Sequence, residues 1–200
     1  MTATITPRPS PLAHFAEWWD AARAADPQPE AASLATVGVD GQPSNRLVLV
    51  RRWDERGFEV FTNLHSRKAR EVGGRPLAAL TFHWKPLGRQ VRVEGGVEPM
   101  SAAESDAYWA MRPRGSRISA LASDQSEPID SREALLAKRD LLADRFAGVD
   151  AIPRPAHWGG FRIVPLRIEF WQHEDDRYHQ RLEYARSAVG RPWRAQLLQP

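Results

Sequence analysis

Five short stretches set cationic side chains beside hydroxyl or amide groups: Arg46 to Arg51, Ser66-Arg67-Lys68, Tyr108 with Arg112-Pro-Arg-Gly-Ser116, Gln125-Ser126, and Arg177-Tyr-His-Gln-Arg181. Such sets can hold a phosphate or another oxyanion, because a guanidinium offers a permanently charged bidentate fork while Ser, Tyr and Gln add directed hydrogen bonds. Any one of them alone reads more simply as solvated surface arginine. Tyr108, Arg112 and Ser116 follow one another at one-turn spacing, at the end of a helix and in the loop after it, which favours a shared ligand over an aromatic packed on the core. A lone His179 is more often structural than catalytic. Read as strand, Arg177 and His179 point to one face and could reach one ligand together. His173, Glu174, Asp175 and Asp176 lack any zinc-binding spacing and read as a solvated acidic turn, so no metal is expected.

Composition narrows the chemistry. The chain has no cysteine, which excludes disulfides, thiolate zinc sites and a thiol nucleophile, so any redox step must be carried by a bound cofactor. Lysine supplies only Lys68, Lys85 and Lys138 of the 28 basic residues, and the net charge of +3 is weak support for nucleic-acid binding. A phosphorylated small ligand is at least as natural a partner for so much arginine. With 200 residues, 42% of them hydrophobic, the chain can build one substantial core. Neither a long apolar run nor a secretory-type start is visible, so a soluble cytoplasmic protein without membrane contact is expected.

The elements that must position these residues follow from periodicity. Residues 1–10 read as a flexible arm and 11–200 as a single domain. A helix opens at Pro11 with Ser10 as cap and fades at Asp26-Pro27. Leu34 to Val39, Arg46 to Arg52 and Phe58 to Thr62 read as three strands in meander order. Ser66 to Val72 is a short helix stopped by Gly73-Gly74, and Leu77 to Trp84 with Gln90 to Glu98 form a hairpin whose Gln90, Arg92 and Glu94 make one polar row. Ser-Ala-Ala-Glu opens a helix from Ser101 to Met111, and Ser131 to Phe146 gives another, with a polar segment, Arg112 to Asp130, between them. Phe161 to Trp171, Tyr178 to Arg186 and Trp193 to Leu198 return to strand character. The order argues for a mainly β protein, an antiparallel barrel with flanking helices.

The strings Arg-Leu-Val-Leu-Val-Arg (46–51), Phe-Thr-Asn-Leu-His-Ser-Arg-Lys-Ala (61–69), Gly-Arg-Gln-Val-Arg-Val-Glu-Gly (88–95), Tyr-Trp-Ala-Met-Arg-Pro-Arg-Gly-Ser (108–116), Gln-Ser (125–126), Trp-Gly-Gly-Phe-Arg (158–162), Ile-Glu-Phe-Trp-Gln (168–172) and Arg-Tyr-His-Gln-Arg (177–181) stand in order and spacing. From about Pro11 to Pro200 the chain resembles the pyridoxine/pyridoxamine 5′-phosphate oxidases. That resemblance implies an FMN-binding split β-barrel, a homodimer with FMN at the subunit interface, and oxidation of phosphorylated vitamin B6 by O2. It implies flavin phosphate and ribityl contacts from Arg46, Arg67 and Lys68, and ring contacts from Leu47, Val48, Leu49, Val50, Phe61, Thr62 and Gln90. Gln125, Ser126, Trp171 and Arg181 match contacts that the family draws from the other subunit. The implied substrate phosphate site is Tyr108, Arg112 and Ser116 with Arg51, and Arg177 and His179 are the pair implied over the substrate ring.

The chain departs from the family pattern at Arg51 (usually lysine), Gln180 (usually aspartate), His173-Glu174 (usually Gly-Gly) and Phe61 (commonly tyrosine). These positions bear on the substrate more than on the flavin. The alternative within the same fold is an oxidase of another aromatic ring, as in the similar phenazine-biosynthesis flavoproteins. The alternatives outside enzymes are a non-catalytic flavin or pyridoxal-phosphate carrier and a nucleic-acid-binding module using Arg51-Arg52-Trp53 and Arg67-Lys68. The latter is disfavoured because basic residues are dispersed among acidic ones. The colour of the purified protein separates a flavoprotein from a colourless binder.

Overall fold

The computed structural model describes residues 4–200. Ser10 accepts a hydrogen bond from the Ala13 amide and Pro11 takes the first helical position, so α1 runs Pro11–Ala25 as the sequence leads one to expect. Strands β1 (Ala31–Val37), β2 (Pro43–Leu49), β3 (Arg52–Asp54) and β4 (Gly57–Asn63) follow, then α2 (Arg67–Gly74), β5 (Leu77–Trp84) and β6 (Arg89–Pro99). Three helices, α3 (Ala102–Met111), α4 (Arg114–Ala122) and α5 (Arg132–Arg145), precede β7 (Trp158–Gln172), β8 (Gln180–Ala185) and β9 (Arg194–Leu198). The capping box at Ser101 and Glu104 forms as read from the sequence.

All pairings are antiparallel, in the order β2-β1-β5-β6-β7-β4-β3, with β8 on β7 and β9 on β8. The fifteen-residue β7 makes this possible, since β4 pairs with its first half and β8 with its second along the same edge. The register of β6 against β7 shifts between Glu94 and Gly95. A Cβ on Gly95 would lie 2.0 Å from the Val164 carbonyl oxygen, so only glycine lets the two backbones approach and the sheet curl there.

Phe15 of α1 closes the curl: its ring meets Trp53, Phe58 and Phe82 edge-on at 5.1, 4.9 and 5.2 Å. Leu34, Leu80, Val91, Val93, Ile163, Ile168 and Leu182 complete this core, and a smaller one forms around Trp109, Ile118, Ile152 and Trp158. No helix among the described residues is long and apolar enough to cross a membrane.

Four local expectations change. The first three strands are not a meander, because β4 leaves β2 and pairs with β7; its residues are covered on both faces, which a half-exposed meander would not allow. The strand expected over Arg46 to Arg52 breaks at Val50-Arg51, where the Val50 amide turns to the Glu30 carbonyl. Within the polar segment 112–130 lies α4, which has no side-chain cap and buries only Ile118 and Ala122, too few apolar positions to show a helical period. Finally, β8 starts at Gln180, so Arg177 and His179 sit in a turn and not on a strand face.

Of the arm, residues 1–3 lie outside the described residues. From Thr4 onward it is extended yet seated: Ile5 is buried, its amide donates to Gln180 Oε1 at 2.6 Å, and the Arg8 amide donates to the Tyr184 hydroxyl at 2.7 Å.

Candidate active site

The residues singled out in the sequence gather in two places. The first is a cleft of about 770 Å³ between the edge of β2, the end of β4, α2 and the α3–α4 corner. Leu47, Val48 and Leu49 form one wall, and Leu47 is 76% exposed although apolar. Val50 does not join them, because it is wholly buried in the core. Phe61 and Thr62 line the floor; Phe61 stacks on Tyr108 at 3.8 Å and on Trp158 at 5.6 Å.

Arg112 ends α3, and its guanidinium lies over Trp158 at 4.9 Å and donates to the Ser116 carbonyl at 2.9 Å. Its Nε is buried without a hydrogen-bond partner among the described residues. Burial first, and the charge of Arg51 against it, lower its pKa, while Tyr108 acts in the opposite sense. Pro113 then starts α4, so Gly115 and Ser116 bring that helix's first turn to the cleft wall. Arg51 also lines the cleft and pairs with Glu30 at 3.5 Å.

At the other end Lys68, in the first turn of α2, is 8% exposed and donates to Thr62 Oγ1 at 2.8 Å, Gln125 Oε1 at 3.1 Å and Ser66 Oγ at 3.2 Å. Burial, reinforced by the charge of Arg46, lowers its pKa to about 8. Neither Lys68 nor Arg112 has a carboxylate partner among the described residues, so the cleft carries one buried and one half-buried cation without an internal counter-ion.

Arg46 and Arg67 meet on Glu71, at 3.2 and 2.8 Å. The same carboxylate accepts from Thr36 Oγ1 at 2.5 Å and Ser44 Oγ at 2.6 Å. Burial alone would raise Glu71, but these hydrogen bonds outweigh it and hold the carboxyl at about 2. Sequence reasoning alone misses Glu71 and Trp158. The spacing of Glu71 four residues after Arg67 on a helix was the available signal.

Gln125 and Ser126, which the resemblance placed on the other subunit, lie against Thr62, Lys68 and Arg67 of their own chain. The Arg67 amide donates to Ser126 Oγ at 3.1 Å, and an Arg70–Glu127 ion pair at 2.8 Å holds the segment down on α2. Ser126 adopts φ of 79°, a left-handed conformation uncommon for serine.

The second gathering lies across β6, β7 and β8. Gln90 pairs with Trp171 and Trp171 with Arg181 in register, which puts all three on one sheet face. This removes Gln90 from the Leu47–Phe61 group with which the resemblance grouped it. Arg181 holds Glu169 through both carboxylate oxygens, at 2.8 and 3.0 Å. His179 packs against Trp171 at 4.7 Å, and Arg177 stands beside it at φ of 66°. None of these five residues lines the first cleft within one chain.

The family described as "Pyridoxamine 5'-phosphate oxidase" matches residues 19–146, and "Pyridoxine 5'-phosphate oxidase C-terminal dimerisation region" matches residues 158–200. The chain belongs to the pyridoxamine 5′-phosphate oxidase family. It is 53% identical over 182 residues to the pyridoxine/pyridoxamine 5′-phosphate oxidase of Burkholderia multivorans, covering 90% of this chain and 84% of that one. The Ralstonia nicotianae protein named pyridoxine/pyridoxamine 5′-phosphate oxidase 1 is 52% identical over 183 residues, covering 91% and 85%. Among solved structures, PhzG from Burkholderia lata 383, in complex with tetrahydrophenazine-1-carboxylic acid, superposes with a TM-score of 0.90 at 33% identity, covering 97% of this chain and 94% of that one. Both gatherings therefore fall inside matched regions of this family: the first cleft is drawn from the oxidase part except for Trp158, and the second from the dimerisation region except for Gln90.

Proposed function

We propose that this chain is an FMN-dependent oxidase that converts pyridoxine 5′-phosphate and pyridoxamine 5′-phosphate to pyridoxal 5′-phosphate in the cytoplasm, reducing O2 to H2O2. The observation that carries the substrate reading is Arg112: a half-buried guanidinium on the cleft wall, stacked on an aromatic shelf beside Tyr108 and Ser116 and lacking a carboxylate partner among the described residues. A phosphate monoester satisfies such a group, because it brings both the charge and the acceptor oxygens.

FMN fits the rest of the cleft. Its volume is in the range of cofactor sites, Leu47 and Leu49 offer an apolar edge for a ring, and Lys68 is an enclosed cation without a counter-ion. Lys68, Arg46 and Arg67 would hold the flavin phosphate, and Leu47, Val48, Leu49, Phe61 and Thr62 its ring system. When bound, FMN supplies the two-electron acceptor for the alcohol or amine carbon and passes the electrons to O2.

The protein's own part is positioning. Tyr108, Arg112, Ser116 and Arg51 anchor the substrate phosphate and so fix how far its ring reaches along the cleft. Arg177, His179, Trp171, Arg181 and Gln90 come from the second copy of a homodimer and close the other side. The Glu174 amide donates to His179 Nδ1 at 3.1 Å, so the neutral ring carries its proton on Nε2 and presents a donor to substrate oxygen or nitrogen.

The fold likeness to PhzG keeps a second reading open, an oxidase of a larger carboxylated ring system. Steady-state oxidation of both B6 phosphates by the flavin-loaded protein, with H2O2 as readout, separates the two. Turnover on either substrate, lowered at least about 100-fold by Arg112→Ala, is the expected result. Rates no higher than free FMN would sink the B6 reading.

A further inference from the structure

The turn between β7 and β8, residues 173–179, carries both Arg177 and His179, and Arg177 has φ of 66°, a strained conformation for a non-glycine residue that persists only where the surroundings enforce it. The enforcing contacts are on either side of Glu174. Its amide donates to His179 Nδ1 at 3.1 Å, and its carbonyl accepts from the Arg177 amide at 3.2 Å. Its carboxylate accepts from Gln180 Nε2 at 2.7 Å. The other end of the same Gln180 amide accepts from the Ile5 amide at 2.6 Å.

The geometry points to Gln180 as a positioning residue that acts through Glu174 on His179 and ties the N-terminal arm to the catalytic turn. A side-chain amide suits this place because its two ends differ: a backbone N–H needs an acceptor and a carboxylate needs a donor, and one planar group meets both. A carboxylate at 180 could still accept from Ile5 but would face Glu174 with like charge. Glu174 and Gln180 are thus bonded to each other and form one device. Arm release and loss of the His179 hydrogen bond are coupled outcomes, since both depend on the same amide.

The role of the turn in catalysis rests on the oxidase reading, whereas the clasp itself is a property of the resting protein and is tested there. Gln180→Glu, Glu174→Gln and the double exchange Gln180→Glu/Glu174→Gln form the set. The double exchange again places one amide against one carboxylate and leaves an acceptor for Ile5. In Gln180→Glu, the Ile5 amide should exchange with solvent at least about tenfold faster, and the 15N pattern of His179, assigned by its loss in His179→Ala, should leave the Nδ1-acceptor tautomer. Both should return in the double exchange, with kcat recovering in parallel while KM moves less. A protein that merely lost stability would show lower unfolding midpoints without that recovery. Unchanged Ile5 exchange and an unchanged His179 tautomer in Gln180→Glu would overturn the clasp. Normal clasp behaviour in a protein inactive on B6 phosphates would overturn the oxidase reading alone.

Discussion

A lysine enclosed among three neutral acceptors, with an arginine nearby, gives up its proton more easily than a surface lysine. Lys68 is in that position, and its pKa of about 8 makes its charge pH-sensitive near neutrality. An anion binds only the charged form well, so if Lys68 holds the flavin phosphate as proposed, affinity should be greatest well below pH 8 and decline above it, by up to about tenfold per pH unit while Lys68 is the limiting group. Lys68→Met should weaken FMN binding by about 10- to 100-fold at pH 7 and flatten the decline between pH 8 and 9.5; flavin fluorescence quenching across that range checks both. Lys68, Arg112 and Tyr108, which the structure brings to one cleft, stand out in the sequence because their types advertise anion chemistry. Glu71 was not, because an acid among arginines looks like surface until its burial and its hydroxyl donors from β1 and β2 are known.

At the scale of elements, α1 is both a lid on the core and the mooring of the arm. His14 is 2% exposed, stacks on Phe170 at 4.0 Å and has its Nδ1 3.2 Å from the Tyr184 hydroxyl. Burial, and then the charge of Arg8, lower its pKa to about 4. The unfolded chain binds this proton below about pH 6.5 and the folded one only near 4, so stability from neutral His14 is present above 6.5 and is lost as pH falls towards 4. Denaturant midpoints should therefore drop over that window, by at most about 3 kcal/mol in unfolding free energy, and His14→Phe should remove most of the slope. Helices with explicit caps, α1 and α3, were readable from sequence, whereas α4 was not, since Pro113 caps without a side-chain bond and two buried residues make no period. The partner of β4 was equally hidden: the local turn at Asp54 to Gly57 fixes only the β3–β4 hairpin, and the choice of β7 depends on burial of both faces.

At the scale of the whole molecule, the residues proposed for one reaction are divided between a cleft drawn mainly from the oxidase region and a sheet face drawn mainly from the dimerisation region. The order of motifs along the chain revealed that both sets exist, but sequence spacing could not say which of them meet within one copy, as Gln90 and Gln125 illustrate. If a complete site takes its cleft from one copy and its β7–β8 turn from the other, two separately disabled chains can repair each other. A mixed dimer of Arg112→Ala with Arg177→Ala holds one site with both substitutions and one with neither. Random exchange makes half the dimers mixed, and half the sites in those are intact, so co-refolding the two inactive variants should restore about a quarter of the wild-type rate. Each variant alone stays near background in the same assay. Recovery that fails although mass spectrometry finds mixed dimers would mean that both half-sites act within a single chain, and the division of labour proposed for the interface would fall.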